Sequence, residues 1–145
     1  MPIKANFTQQ QIEQLLQKKA ENVHRAIVSV LYQLGELCVN EARNFGSYTD
    51  RTGNLRSSVG FGVFKDGQPI SYSNFEQVAK GTEGGIEGRN LLEKISGKYH
   101  NGYALIVVAG MNYAVYVEAK GYNVLSSAEL LAENELPRMI NELFD

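Results

Sequence analysis

Apolar residues recur along the first third of the chain at Ile12, Leu15, Leu16, Val23, Ile27, Val30, Leu31, Leu34 and Cys38, the spacing of an amphipathic helix. Thr8 with Gln11 three residues later is the pattern of a capping box, which sets the helix start at Gln9. The pattern allows one helix or two, and Gly35 is the place for a bend, since glycine inside a helix costs about 1 kcal/mol relative to alanine. A single helix to Asn44 extends about 50 Å at 1.5 Å per residue, too long for a small domain to cover. Part of the stripe is therefore expected to pack on another chain, with Leu16 and Ile27 as candidate assembly residues.

The pattern changes after Phe45. Gly46, Ser47, Thr49, Asp50, Thr52 and Gly53 are loop formers. Val59, Phe61 and Val63 then alternate with Ser58, Gly60 and Gly62, the period of a half-buried strand, and the glycines predict a close approach on the opposite face. Asp66-Gly67 ahead of Pro69 predicts a turn, and Ile70 to Phe75 a second strand of the same hairpin. Gly81, Gly84, Gly85 and Gly88 make Lys80 to Asn90 read as a mobile loop before a short helix at Leu91 to Ile95. Tyr103 to Ala109 is a continuous apolar run, expected as a central strand buried on both faces and paired with the hairpin. Asn112 to Lys120 fits either a strand or a short helix. Ser126 with Glu129 is a second capping-box pattern, opening a helix through Leu130, Leu131, Leu136, Ile140 and Leu143 that Pro137 should kink or restart.

These elements predict one α+β domain over residues 1–145, with a long N-terminal helix and a C-terminal helix packed on a small antiparallel sheet. A chain of 145 residues buries roughly two thirds of its unfolded surface without disulfides or metals. Hydrophobic residues make up 43% and charged residues 21%, within the range of folded domains. No export signal is expected from the polar start, and no apolar run approaches the roughly 20 residues of a membrane span. A net charge of -2 argues against sequence-specific nucleic-acid binding or DNA coating, which carry a basic footprint.

Candidate chemistry is sparse. His24 and His100, expected at the surface, have no partners at metal-ligand spacing. The single cysteine, Cys38, reads as a buried inert thiol. The loop Gly81 to Gly88 lacks the Lys-Ser/Thr pair of a phosphate cradle and carries Glu83 and Glu87, which repel phosphate. Glu129, Glu133, Glu135, Glu142 and Asp145 read as the solvated face of the last helix, and Lys18, Lys19 and Arg25 as ordinary surface charge. Eight tyrosines without a tryptophan suit subunit interfaces, since tyrosine joins an apolar ring to a polar tip. No catalytic residue, metal, cofactor or small-molecule substrate is expected.

Two segments carry a resemblance. Thr52-Gly53-Asn54-Leu55-Arg56-Ser57-Ser58-Val59 resembles the Thr-Gly, Leu, Ser pattern entering a strand in tail-component proteins of tailed bacteriophages, of the head-tail joining or tail-completion type. Tyr113-Ala114-Val115-Tyr116-Val117-Glu118 resembles that family's Tyr-Ala-x-Tyr/Phe-Val-Glu segment, in the same order and after a valine-rich strand. The chain departs from the family where Ala119-Lys120-Gly121-Tyr122 replaces Phe/Tyr-Gly-Thr, and Lys80 to Tyr99 looks like an insertion.

The resemblance implies a structural virion subunit that assembles into a ring at the phage neck and contacts neighbouring neck or tail proteins. It also implies a location in the cytoplasm of the bacterial host and then in the virion, with no membrane partner. The alternatives are a small intracellular adaptor or, further off, an enzyme with a site shared between subunits. Thr52, Gly53, Leu55, Ser58, Tyr113, Tyr116 and Glu118 are the family-motif or interface candidates. On physical grounds Thr52 can cap the short turn that holds Leu55, Gly53 permits a tight backbone, and Leu55 anchors beneath the sheet.

Overall fold

The computed structural model describes residues 1–2, 4, 6 and 8–144; Asp145 of the acidic group named above lies outside the described residues. In chain order the elements are α1 (Gln9–Asn44), α2 (Asn54–Ser57), β1 (Val59–Lys65), β2 (Gln68–Tyr72), α3 (Gly84–Ser96), β3 (Tyr103–Ala109), α4 (Ala114–Ala119) and α5 (Ser126–Leu143). The fold is α+β: a long N-terminal helix and a C-terminal helix lie against a three-stranded antiparallel sheet of order β2-β1-β3.

α1 is one continuous helix of 36 residues, and the Thr8–Gln11 capping box forms in full. Gly35 does not break the helix. It sits where α1 crosses β1, and a Cβ there would lie 2.5 Å from the Phe61 ring. The residues of α1 that are buried begin at Val30 and run to Ala42, and they share a core with Val59, Phe61 and Val63 of β1 and with Ala128 and Met139 of α5.

The other face of the sheet is also covered, by a helix longer than the short one expected at Leu91 to Ile95. α3 starts at Gly84, inside the stretch expected as a mobile loop, and packs Leu92 against Phe64, Ile106 and Val108. The glycines read as loop formers are instead small residues at a helix-sheet contact: a Cβ at Gly88 would lie 2.5 Å from the Ser58 carbonyl oxygen, and one at Gly110 2.3 Å from the Gly88 backbone. β1 is therefore buried on both faces rather than one. The expected close approach at Gly60 and Gly62 is present, from the Phe75 ring and the Leu92 side chain respectively.

β3 occupies a sheet edge and not the centre. Its apolar run is explained by cover from above and below, with Leu105 and Val107 against the α1–α5 core and Ile106 and Val108 against α3. The β1–β2 turn has positive φ at both Asp66 (52°) and Gly67 (81°), the backbone of a tight two-residue hairpin. β2 ends at Tyr72, short of the expected Phe75, and Pro69 sits on this edge strand beside a register shift at Val63/Phe64, where its missing amide does no harm. α5 runs as one helix through Pro137 without a restart. Among the described residues no helix is long and apolar enough to cross a membrane.

Candidate functional site

The first motif is a clip between elements. After α1 the chain turns at Asp50, whose buried carboxylate accepts the amides of Gly53 (3.0 Å) and Arg56 (2.9 Å). That carboxylate caps α2; the Thr52 hydroxyl accepts only the Asn54 amide, at 3.2 Å. Gly53 adopts φ 86°, and a Cβ there would meet the Val78 carbonyl oxygen at 1.9 Å, so no other residue fits. Asn54 reaches forward to α3, its side-chain oxygen accepting the Glu83 and Gly84 amides, both at 3.1 Å. Arg56 reaches back, donating to the carbonyls of Arg43 (3.2 Å) and Gly46 (3.1 Å), which lie at and beyond the last turn of α1, while its guanidinium stacks over the Tyr48 ring at 4.6 Å. The Ser58 hydroxyl donates to the Leu55 carbonyl at 2.7 Å.

The second motif meets the first through a small core of its own. Leu55, 2% exposed as expected, packs with Tyr48, Ala114 and Val124, so Leu55 of the first segment and Ala114 of the second share one cluster. The Asn112 to Lys120 stretch resolves as the short helix α4. Glu118 at its end turns inward to the start of α5, accepting the amides of Val124 (2.7 Å) and Leu125 (3.1 Å) and the Ser126 hydroxyl (2.7 Å). Burial alone would raise its pKa, but these bonds outweigh it and hold the carboxyl below its ordinary value. The Ser126–Glu129 capping box does not form, because Ser126 is already engaged by Glu118 and the Ser127 amide goes to Asn123 Oδ1 at 3.0 Å.

The motif candidates therefore divide. Gly53, Leu55, Ser58 and Glu118 hold the fold, with Thr52 in a lesser turn contact, whereas Tyr113 and Tyr116 face solvent, Tyr116 at 70% exposure next to Val115 at 74%. The residues that sequence reasoning missed are Asp50, Asn54, Arg56 and Asn123. The available signal is local: Asp and Asn beside Gly and Ser form side-chain turns and caps.

The two assembly candidates on α1 also separate. Ile27 is partly buried against the main core of its own chain, while Leu16 is 62% exposed on a stretch, Gln9–Val23, in which every residue is exposed. Ile12, Leu15 and Val23 share that stretch. The boundary is marked by His24, which is half-buried and not free at the surface as expected; its Nδ1 lies 2.5 Å from the Tyr103 hydroxyl. His100 is exposed.

Cys38 is 1% exposed and burial, with a smaller contribution from Glu41, pushes its thiol pKa up, away from reactivity. Among the described residues no three His, Cys, Asp or Glu side chains are grouped to hold a metal ion. A cleft of about 440 Å³ lies between the segment after β2 and α3, with Ser73, Asn74, Gln77, Thr82 and Arg89 on its walls. The α3 start beside it is already capped by Asn54.

Comparison of the chain with family models, with curated proteins and with solved structures finds no match.

Proposed function

We propose that the chain is a non-enzymatic structural subunit of a tailed bacteriophage, a head-tail joining or tail-completion protein that assembles with copies of itself into a ring at the neck and contacts neighbouring neck or tail proteins. The observation that supports this reading most is the exposed N-terminal stretch of α1, which presents Ile12, Leu15, Leu16 and Val23 to solvent. An apolar stripe of that length on a helix that has left its own core fits a protein whose partner is another chain. The exposed Val115 and Tyr116 on the second motif fit the same role, since aromatic residues with a polar tip are enriched at interfaces.

The test is genetic and visual. In the phage or prophage that encodes the chain, disruption of its gene is expected to yield filled heads and separate tails by electron microscopy, and a tagged wild-type copy is expected at the head-tail junction. Intact, infectious particles without the chain would refute the reading.

A further inference from the structure

The overhanging turns of α1 form an apolar ridge that is exposed among the described residues, and the other end of the molecule carries a groove of matching character. The groove lies between α4 and the start of α5, has a volume of about 420 Å³, and is lined by Ala109, Ala114, Val115, Ala119, Val124 and Leu125, with Glu118 as its one charged residue. Alanines along its walls leave room for a helix backbone to approach, which is the geometry of helix-in-groove recognition.

A chain cannot fill its own groove. Asn123 Nδ2 donates to the Phe45 carbonyl at 3.0 Å and the Ser47 amide to the Asn123 carbonyl at 3.3 Å, which fastens the groove to the C-terminal end of α1. Along the continuous helix from Val23 to Asn44 the overhang stands roughly 30 Å away, at 1.5 Å per residue. The overhang is neutral as a whole, and the charge match is local to its lysine pair. Lys18 and Lys19 sit next to Leu15 and Leu16 on the overhang, between Glu13 and Glu21, whereas α5 carries four glutamates against one arginine. Of these, Glu129 and Glu133 are exposed on its first two turns, where it leaves the groove. Two overhangs paired with each other would leave both grooves empty.

We propose that the overhang of one copy, Gln9–Val23, lies in the α4–α5 groove of the next copy. The inference rests on the self-assembly proposed above and makes it a head-to-tail contact between unlike surfaces, which closes into a ring when the rotation per copy divides a full turn and otherwise extends. Each copy then offers one ridge and one groove, and every copy in a closed ring has both satisfied.

Sedimentation velocity over a concentration series tests this with the full chain and three variants at exposed positions: Leu16→Asp on the ridge, and Val115→Asp and Ala119→Arg in the groove. The wild type is expected to grow beyond a dimer, and each variant alone to stay monomeric and folded by circular dichroism. Leu16→Asp mixed with either groove variant has one intact groove and one intact ridge between the two partners, so the mixture is expected to form a one-to-one dimer that grows no further. Groove variants that assemble like the wild type, a mixture that stays monomeric, or a wild type that never leaves the monomer would each overturn the inference. The junction label and the unjoined-head phenotype are read separately, so a failed groove with the chain still at the junction leaves the virion reading in place.

Discussion

The two halves of α1 carry the same stripe with the same spacing and meet opposite fates. From Val30 to Ala42 the stripe is buried against β1 and α5; from Gln9 to Val23 it is bare. The difference lies in what stands opposite. The sheet is three strands of five to seven residues, and α5 has 18 residues against the 36 of α1, so cover runs out near His24. Hydrophobic periodicity thus identifies a face that must be covered and says nothing about whose surface covers it.

The contrast can be attacked at several points, the strongest first. Leu34→Ala in the packed half and Leu55→Ala in the motif core should each cost about 2–5 kcal/mol in urea unfolding, as truncations of fully buried leucines do. Values under about 1 kcal/mol would mean the packed half is no better covered than the overhang.

Gly35→Ala sharpens the comparison by its sign. As a mere weak point in a helix Gly35 should gain about 1 kcal/mol on replacement by alanine. Wedged against the buried Phe61 ring it should instead lose about 1–3 kcal/mol, as overpacked sites do.

Glu118→Gln should cost about 1 kcal/mol, the scale of a lost helix cap, and the loss should depend on pH. The carboxyl pKa is depressed in the fold, so its contribution is complete above the unfolded value and disappears as pH falls through the folded value, below the ordinary 4.5. The gap between wild type and variant is therefore expected to be full at neutral pH and to close in acid. A gap that widens on acidification would contradict the cap.

The smallest effect is expected at Leu16→Ala, within about 0.5 kcal/mol of the wild type in the monomer's stability, because the residue is 62% exposed. A larger loss measured on the monomer would put a hidden intramolecular partner on the overhang.

Much of this architecture was legible where one local rule sufficed. The Thr8–Gln11 box, the Asp66-Gly67 turn, the β1–β3 pairing and the burial of Leu55 and Cys38 each follow from a short pattern. What failed were readings that needed the third dimension. Gly84, Gly85 and Gly88 look like a loop because glycine is poor in helices, yet α3 forms there, where close contact with α2, Ser58 and the Phe75 ring leaves no room for a Cβ at Gly84 or Gly88. Tyr103 to Ala109 was expected at the sheet centre because both faces are apolar, but burial of both faces records layers above and below and not lateral position. The candidate site was legible as two motifs and opaque as to roles: nothing in Tyr113 to Glu118 distinguishes the tyrosine that faces water from the glutamate that fastens α5, since that depends on the path of the chain beyond Gly121.

The union of α1 with α5 also sets a timetable for synthesis. Cys38 donates from its thiol to the Ala128 carbonyl 90 residues later in the chain, and the core between them cannot close until α5 has been made. At about 5–20 residues per second that interval lasts roughly 5–18 s, during which the part of the α1 stripe that α5 covers has no helix to pack on. The Gln9–Val23 half stays exposed in the folded chain as well. A longer interval means longer exposure, so the yield of folded chain in the cell is expected to drop when translation of the segment between α1 and α5 is slowed.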